Sequence, residues 1–301
     1  MTRQNCFVGR RLGLESLEGR LLMAANPFGN VQVTVAGGDL ILTGDNLQHD
    51  VQIVQTMVQG TPVPGSYFVA PRNGTTINGS TTGQYFINVT HDIRATLGTN
   101  NDRLLLGNGS SNDNFIVPND LFIDTKGGAD VVTIDRIAVR DDATILTGDG
   151  NDSVRFKGSV GAKKADDGAN DLTIDTGARP DNVVIQDSFV RRNLSVSTGK
   201  DSFADVVDIY FTEIGNNTTI TTAGGGDIVD IADTTFDNDL TVNTGSGNDS
   251  VSLNRCEVDE LFANLGLDID GLKLKDTSGR RATLNGGGGA RHTLANQQRF
   301  S

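Results

Sequence analysis

The chain has 301 residues, of which 36% are hydrophobic; it contains 37 Gly, 3 Tyr and no Trp, and its formal net charge is -13. That sign argues against nucleic acid or an anionic membrane surface as a partner, because both would repel the protein. No apolar run approaches the ~20 residues of a transmembrane helix, and two cysteines, Cys6 and Cys256, make no disulfide framework. Abundant Gly, Asn, Asp and Thr describe many turns and thin β-branched strands, which predicts an all-β protein.

Residues 1–26 form a leader with four Arg against two Glu. Its apolar stretch, Leu21 to Ala25, is too short for an ordinary secretory segment. The run Arg10-Arg11-Leu12-Gly13-Leu14-Glu15-Ser16-Leu17-Glu18-Gly19-Arg20-Leu21-Leu22-Met23-Ala24 resembles the LEPR-xLL leader of large exported or surface proteins of planctomycete bacteria. Gly19 stands where that motif usually has Pro or Asp. The resemblance implies export, with an extracellular or cell-surface location.

Residues 27–92 alternate with period two: Val31, Val33 and Val35, then Leu40 and Leu42 after Gly37-Gly38-Asp39, then Val51 and Ile53. Strands joined by a Gly-Gly turn read as a hairpin. The segment is predicted to be a small antiparallel β cap over the first coil of a repeat array.

Residues 93–274 are that array and carry a repeated turn. Thr125 to Asp130, Thr147 to Asp152, Thr176 to Asp181, Thr222 to Asp227 and Thr244 to Asp249 share one pattern; Thr198 to Asp205 is longer by two, and in Leu97 to Asp102 and Leu265 to Asp270 Leu replaces Thr. Asp-to-Asp steps are 28, 22, 29, 24, 22, 22 and 21 residues. Aligned on Asp, three apolar columns emerge, represented by Leu172/Ile174, Val183/Ile185 and Val190 in one copy and by Leu240/Val242, Val251/Leu253 and Val258 in another. Spacing of two within a column is that of a strand. Three short strands per ~22 residues predict a parallel β-helix, a solenoid of about eight rungs stacked at ~4.8 Å, roughly 38 Å long. Gly107 to Asn119 and Lys157 to Asn170 read as loops, and residues 275–301 as a basic, Gly-rich, frayed tail.

Gly-Gly-Ala-Asp130 and Gly-Ser-Gly-Asn-Asp249 are locally similar to half of the calcium-binding nonapeptide of RTX proteins. Asp130, Asp152, Asp181, Asp205, Asp227 and Asp249 are therefore candidate calcium ligands. If they stack in register, neighbouring carboxylates repel by about 0.9 kcal/mol even in water, and a hard cation would reverse that sign. The alternative is an outward turn Asp that accepts an N–H in its own turn. The Thr column, from Thr125 to Thr244, reads as a hydroxyl ladder, and Cys256 as a small buried residue.

Polysaccharide lyases and hydrolases occur on this fold, but their carboxylates work with a His or basic partner. His49, His91 and His292 lie outside the array, and Asp141-Asp142 and Asp166-Asp167 read as solvated turns. The expectation is a non-catalytic exported β-helix with a structural or adhesive role, meeting a surface polymer or protein and stabilised by calcium, with a glycan-active enzyme as the alternative. The last rung, near Leu272 and Leu274, is a candidate edge for end-to-end self-association.

Overall fold

A computed structural model describes residues 28–107, 115–160, 170–286, 291–295 and 299–300. The described residues are all-β, a parallel β-solenoid of about seven turns with ~22-residue spacing and antiparallel strands at its N-terminal end. The leader and Cys6 lie outside them. Among the described residues there is no helix long and apolar enough to cross a membrane.

Each turn of the solenoid contributes to three ladders. The first is a twelve-stranded sheet whose parallel part runs from Asp39–Gly44 through strands such as Leu172–Asp175 and Leu194–Ser197 to Arg281–Gly286. The second stacks strands such as Val206–Tyr210 on Ile228–Ala232, with Val207 opposite Val229 and Ile209 opposite Ile231. The third is shorter, with Glu213–Ile214 on Thr235–Phe236. All three predicted apolar columns face inward and form one buried core, each rung covering the apolar rows of its neighbours.

A left-handed corner separates the second ladder from the third. Arg136, Asp187, Phe211, Asp233, Arg255 and Asp276 all have φ between 47 and 56°. Each stands six residues after its rung's aspartate. The next residue points inward, and at Ser188, Thr212, Thr234 and Thr277 its hydroxyl donates to the carbonyl two residues back, at 2.7 to 3.1 Å. Cys256 takes the same pose, with Sγ 3.6 Å from the Asn254 carbonyl. Burial pushes its thiol up to about 11, consistent with a packing residue rather than a nucleophile.

The N-terminal hairpin forms as the Gly-Gly turn requires: Val35 pairs with Leu40, and Gly37 and Gly38 both have positive φ, as a two-residue hairpin loop needs. The cap is continuous with the array, because Asp39–Gly44 and Asp50–Val58 pair in parallel with Ile93–Thr96 and Arg103–Leu106. It also covers an edge. The first third-ladder strand, Phe115–Val117, donates from Ile116 N–H to Gln55 Oε1 at 2.8 Å and accepts from the Tyr67 hydroxyl at the Ile116 carbonyl, 2.5 Å away.

Two loop assignments and the tail need correction. Phe115–Val117 and Ser153–Val160 are strands that reach into the segments read as loops; residues 108–114 and 161–169 lie outside the described residues. Beyond Leu274 the coil continues, with Ser278–Gly279 and Arg281–Gly286 stacked on the previous rung. Ala282 and Leu284 there alternate and sit over Leu261 and Ala263, a two-residue apolar pattern hidden among Gly and Arg.

The residue after the ladder Thr is also left-handed, and Ala223 adopts φ 70° there. Replacing Ala223→Gly removes strain of about 1–2 kcal/mol against an entropic loss of about 0.5–1 kcal/mol. The expected result is a melting midpoint a few degrees higher in a calorimetric scan.

Candidate functional site

The repeated aspartates lie inside. Asp102, Asp130, Asp152, Asp181, Asp205, Asp227, Asp249 and Asp270 are each at most 4% exposed, because each stands two residues before an inward Val or Leu and shares its face of the strand. They form a single file along the axis. The Asp102 N–H donates to Asp130 Oδ1 at 2.7 Å, Asp130 to Asp152 at 2.8 Å, Asp152 to Asp181 at 2.8 Å and Asp181 to Asp205 at 2.9 Å. The file continues through Asp227 and Asp249 to Asp270. Apart from Asp102, whose Oδ2 also accepts from the Gly98 N–H of its own turn at 3.1 Å, the expected turn bond within a rung is thus replaced by a bond between rungs.

His49 occupies the aspartate position one rung earlier. Its N–H donates to Asp102 Oδ1 at 2.7 Å, its Nδ1 lies 2.9 Å from the same oxygen, and its Nε2 lies 3.2 Å from Asp45 Oδ1. Burial alone would lower the His49 pKa; the hydrogen bond and charge of Asp102, with Asp45 behind, outweigh it and hold the ring raised.

Burial is also the main influence on the carboxylates. It lifts Asp130 and Asp181 to about 7 and Asp227 to about 6, against the nearby Thr hydroxyl and the bonded N–H of the preceding rung, with the neighbouring carboxylates adding to the rise. Asp152, Asp205 and Asp249 are raised by the same burial. Thr198 donates to Asp205 Oδ2 at 2.6 Å. In three of the shorter turns the hydroxyl reaches instead toward the next rung's backbone, as from Thr147 to the Thr176 carbonyl at 3.3 Å and from Thr244 to that of Leu265 at 3.4 Å, while Oγ1 of Thr176 and Thr222 is buried with no hydrogen bond of good geometry. Oδ2 of Asp130, Asp152, Asp181, Asp227, Asp249 and Asp270 is then buried with no hydrogen bond of good geometry.

This arrangement fits calcium poorly. The ion takes six to eight oxygens, whereas each rung offers one carboxylate whose Oδ1 is already engaged. Among the described residues no group of three or more His, Cys, Asp or Glu is placed to hold a metal.

A second acidic file, which sequence reasoning missed, marks the start of the first-ladder strands. Asp120, Asp142, Asp171 and Asn193 donate from their N–H groups to the carboxylates of Asp92, Asp120, Asp142 and Asp171 at 2.8 to 3.2 Å. Its sequence signal is an Asp or Asn directly before the strand's first inward residue. Asp142, read as a solvated turn, is half-buried; burial raises it, with the charges of Asp171 and Asp120 adding. Asp166 and Asp167 lie outside the described residues.

On the outer face of the second ladder Asp208 stands opposite Asp230. Burial raises Asp208, against a hydrogen bond with the Tyr210 hydroxyl and with the Asp230 charge adding. A Ser and then Lys273 continue that file. His91 is engaged elsewhere, its Nδ1 2.8 Å from the Gly37 carbonyl.

The main concavity follows the third ladder. A groove of 1130 Å³ runs from Phe115 and Ile116 past Ala138, Ser159, Phe189 and Glu213 to Thr235, six rungs or roughly 24 Å. Its floor is small where Ala138, Gly158 and Ser159 meet, the left-handed corner residues Arg136, Asp187, Phe211 and Asp233 make one side, and Pro62 and Pro64 of the cap close the N-terminal end. Phe211 is 62% exposed.

Compared with protein families, with curated proteins and with solved structures, the chain matches none.

Proposed function

We propose that the protein is a non-catalytic, exported β-solenoid acting at the cell surface as a structural or adhesive element. The observation that supports this most is the inward commitment of the repeat's chemistry. Its Asp file is consumed in joining rungs and its Thr file is buried beside it, so what the rod offers outward is a long surface with a groove. The leader resemblance at residues 10–24 supports export. Labelling of intact cells with an antibody to the chain tests it; the expected result is surface signal sensitive to external protease, and a chain confined to the cytoplasmic fraction overturns it.

In this reading the Asp file joins rungs and calcium adds no stability to it. A ligand binding only the folded chain at a hundred times its Kd adds about 2.7 kcal/mol. With Oδ1 engaged throughout the file, excess calcium and excess EDTA should give melting midpoints within about one degree of each other; a shift of several degrees would make the Asp file a metal site.

The Asp208 and Asp230 pair beside Tyr210 is the observation that favours a glycan-active enzyme instead. New reducing ends or unsaturated products from polysaccharide incubated with the protein, abolished by Asp208→Asn, would decide for that alternative.

A further inference from the structure

Two of the acidic residues that line the groove, Asp187 and Asp233, are paired along its side, while Glu213 and Asp237 line it as well. Asp187 accepts from Lys157 Nζ at 2.6 Å, and Asp233 is held bidentately by Arg255 at 2.6 and 2.5 Å. The Lys157 hydrogen bond holds Asp187 below the usual carboxylate range, and that of Arg255 does the same for Asp233. Such pairs leave little field for a charged chain but keep oxygens and nitrogens free to hydrogen-bond further groups. Between them Phe211 and Phe189 present aromatic surface.

Direction matters as much as charge. The groove crosses the strands of the third ladder, so a chain lying in it meets side chains from successive rungs and no open strand edge. The edge at its N-terminal end is taken up by Gln55 and Tyr67. A bound peptide would find no backbone ladder for its amides, the usual source of affinity for extended peptides on sheets. A hydroxyl-rich chain has no such requirement, and its C–H faces stack on aromatic rings.

We infer that this groove binds a neutral polysaccharide lying along the solenoid axis, its sugar faces on Phe211 and its hydroxyls on the Asp187–Lys157 and Asp233–Arg255 pairs. The inference deepens the adhesive reading and rests on it. Purified protein tests the groove and intact-cell labelling tests the location, so the two fail separately.

The experiment is affinity electrophoresis of the full chain through gels containing a neutral β-glucan, a galactomannan or dextran, with polygalacturonate and polylysine as charged probes. At least one neutral polymer should retard the protein. Phe211→Asn, which removes the ring but suits the left-handed corner, should weaken retardation about tenfold, and Ser159→Arg, which fills the floor, should abolish it. Phe203→Ala, an exposed ring outside the groove, should leave it unchanged. Melting curves matching wild type establish that the variants are folded. Absence of retardation by all three neutral polymers overturns the inference, as does retardation by polylysine or polygalacturonate alone, or retardation unchanged in both groove variants.

Discussion

The melting midpoint of the protein at about pH 8 is expected to lie roughly ten degrees below that at about pH 5. Asp130 and Asp181 titrate near 7 and Asp227 near 6 in the folded chain, against ~3.9 when unfolded. Between those values the folded state holds protons that the unfolded state has released, so stability rises as pH falls through this window and is lost as pH rises past the folded values. Each extra bound proton contributes about 1.4 kcal/mol per pH unit, though neighbours in one file titrate together and broaden the transition. His49 acts with the same sign: its raised pKa gives stability present below the unfolded value of ~6.5 and lost as pH rises through the folded one. Asp45, Asp187 and Asp233 are lowered and act oppositely, at more acidic pH, which places the optimum near the unfolded carboxylate value, about pH 4.

Hydrogen-bond accounting leads to the same conclusion. A proton on Oδ2 of Asp152 would let it donate to the Thr147 hydroxyl, which is then free to donate to the Thr176 carbonyl; the ionised form leaves Oδ2 or that carbonyl without a donor. Asp227→Asn keeps an oxygen for the Asp205 N–H and cannot ionise, so its midpoint should exceed wild type at pH 8 and vary less with pH. Asp227→Ala removes the acceptor, leaves a buried N–H at about 1–3 kcal/mol, and should melt lower at both pH values. A wild-type midpoint that is flat or rises from pH 5 to pH 8, or an Asn variant as damaged as the Ala variant, would rule out a protonated file.

Gly247→Ala should be the most damaging small substitution in the array, at about 3 kcal/mol or more. Gly247 has φ 124°, and a Cβ there would sit 1.3 Å from the Gly225 carbonyl oxygen and 2.4 Å from its carbon. Both are backbone atoms of the rung before, so relief requires the stack itself to part. Gly79→Ala is the control: φ is 78° and nothing lies within 4 Å of the added carbon, leaving only left-handed strain of about 1–2 kcal/mol. Denaturant titration of the two variants isolates the clash, and equal losses would mean that the rungs have slack at this turn.

The three apolar columns, the Gly-Gly hairpin and the ~22-residue period were legible in the sequence because each is a local spacing. The inward aspartates were legible only by parity, a signal that the reading as calcium ligands or outward turn residues passed over: Asp130, Val132 and Ile134 are two apart and share a face. The left-handed corner was not, since Arg136, Phe211 and Asp233 have no common propensity, and only the five-residue gap before the third column hinted at it. The groove could not be read at all, because it joins residues of six rungs and the cap that meet only once the coil is stacked.

His49 gives the aspartate file a beginning and therefore a direction. Every Oδ1 receives its proton donor from the rung before, so each finished rung holds out an unanswered N–H that its successor satisfies. Growth from the amino end closes one such vacancy and opens the next, so the rod lengthens by accretion on a template that never changes. Its reach is then set by how many times the ~22-residue unit is copied, with the same seam at every joint.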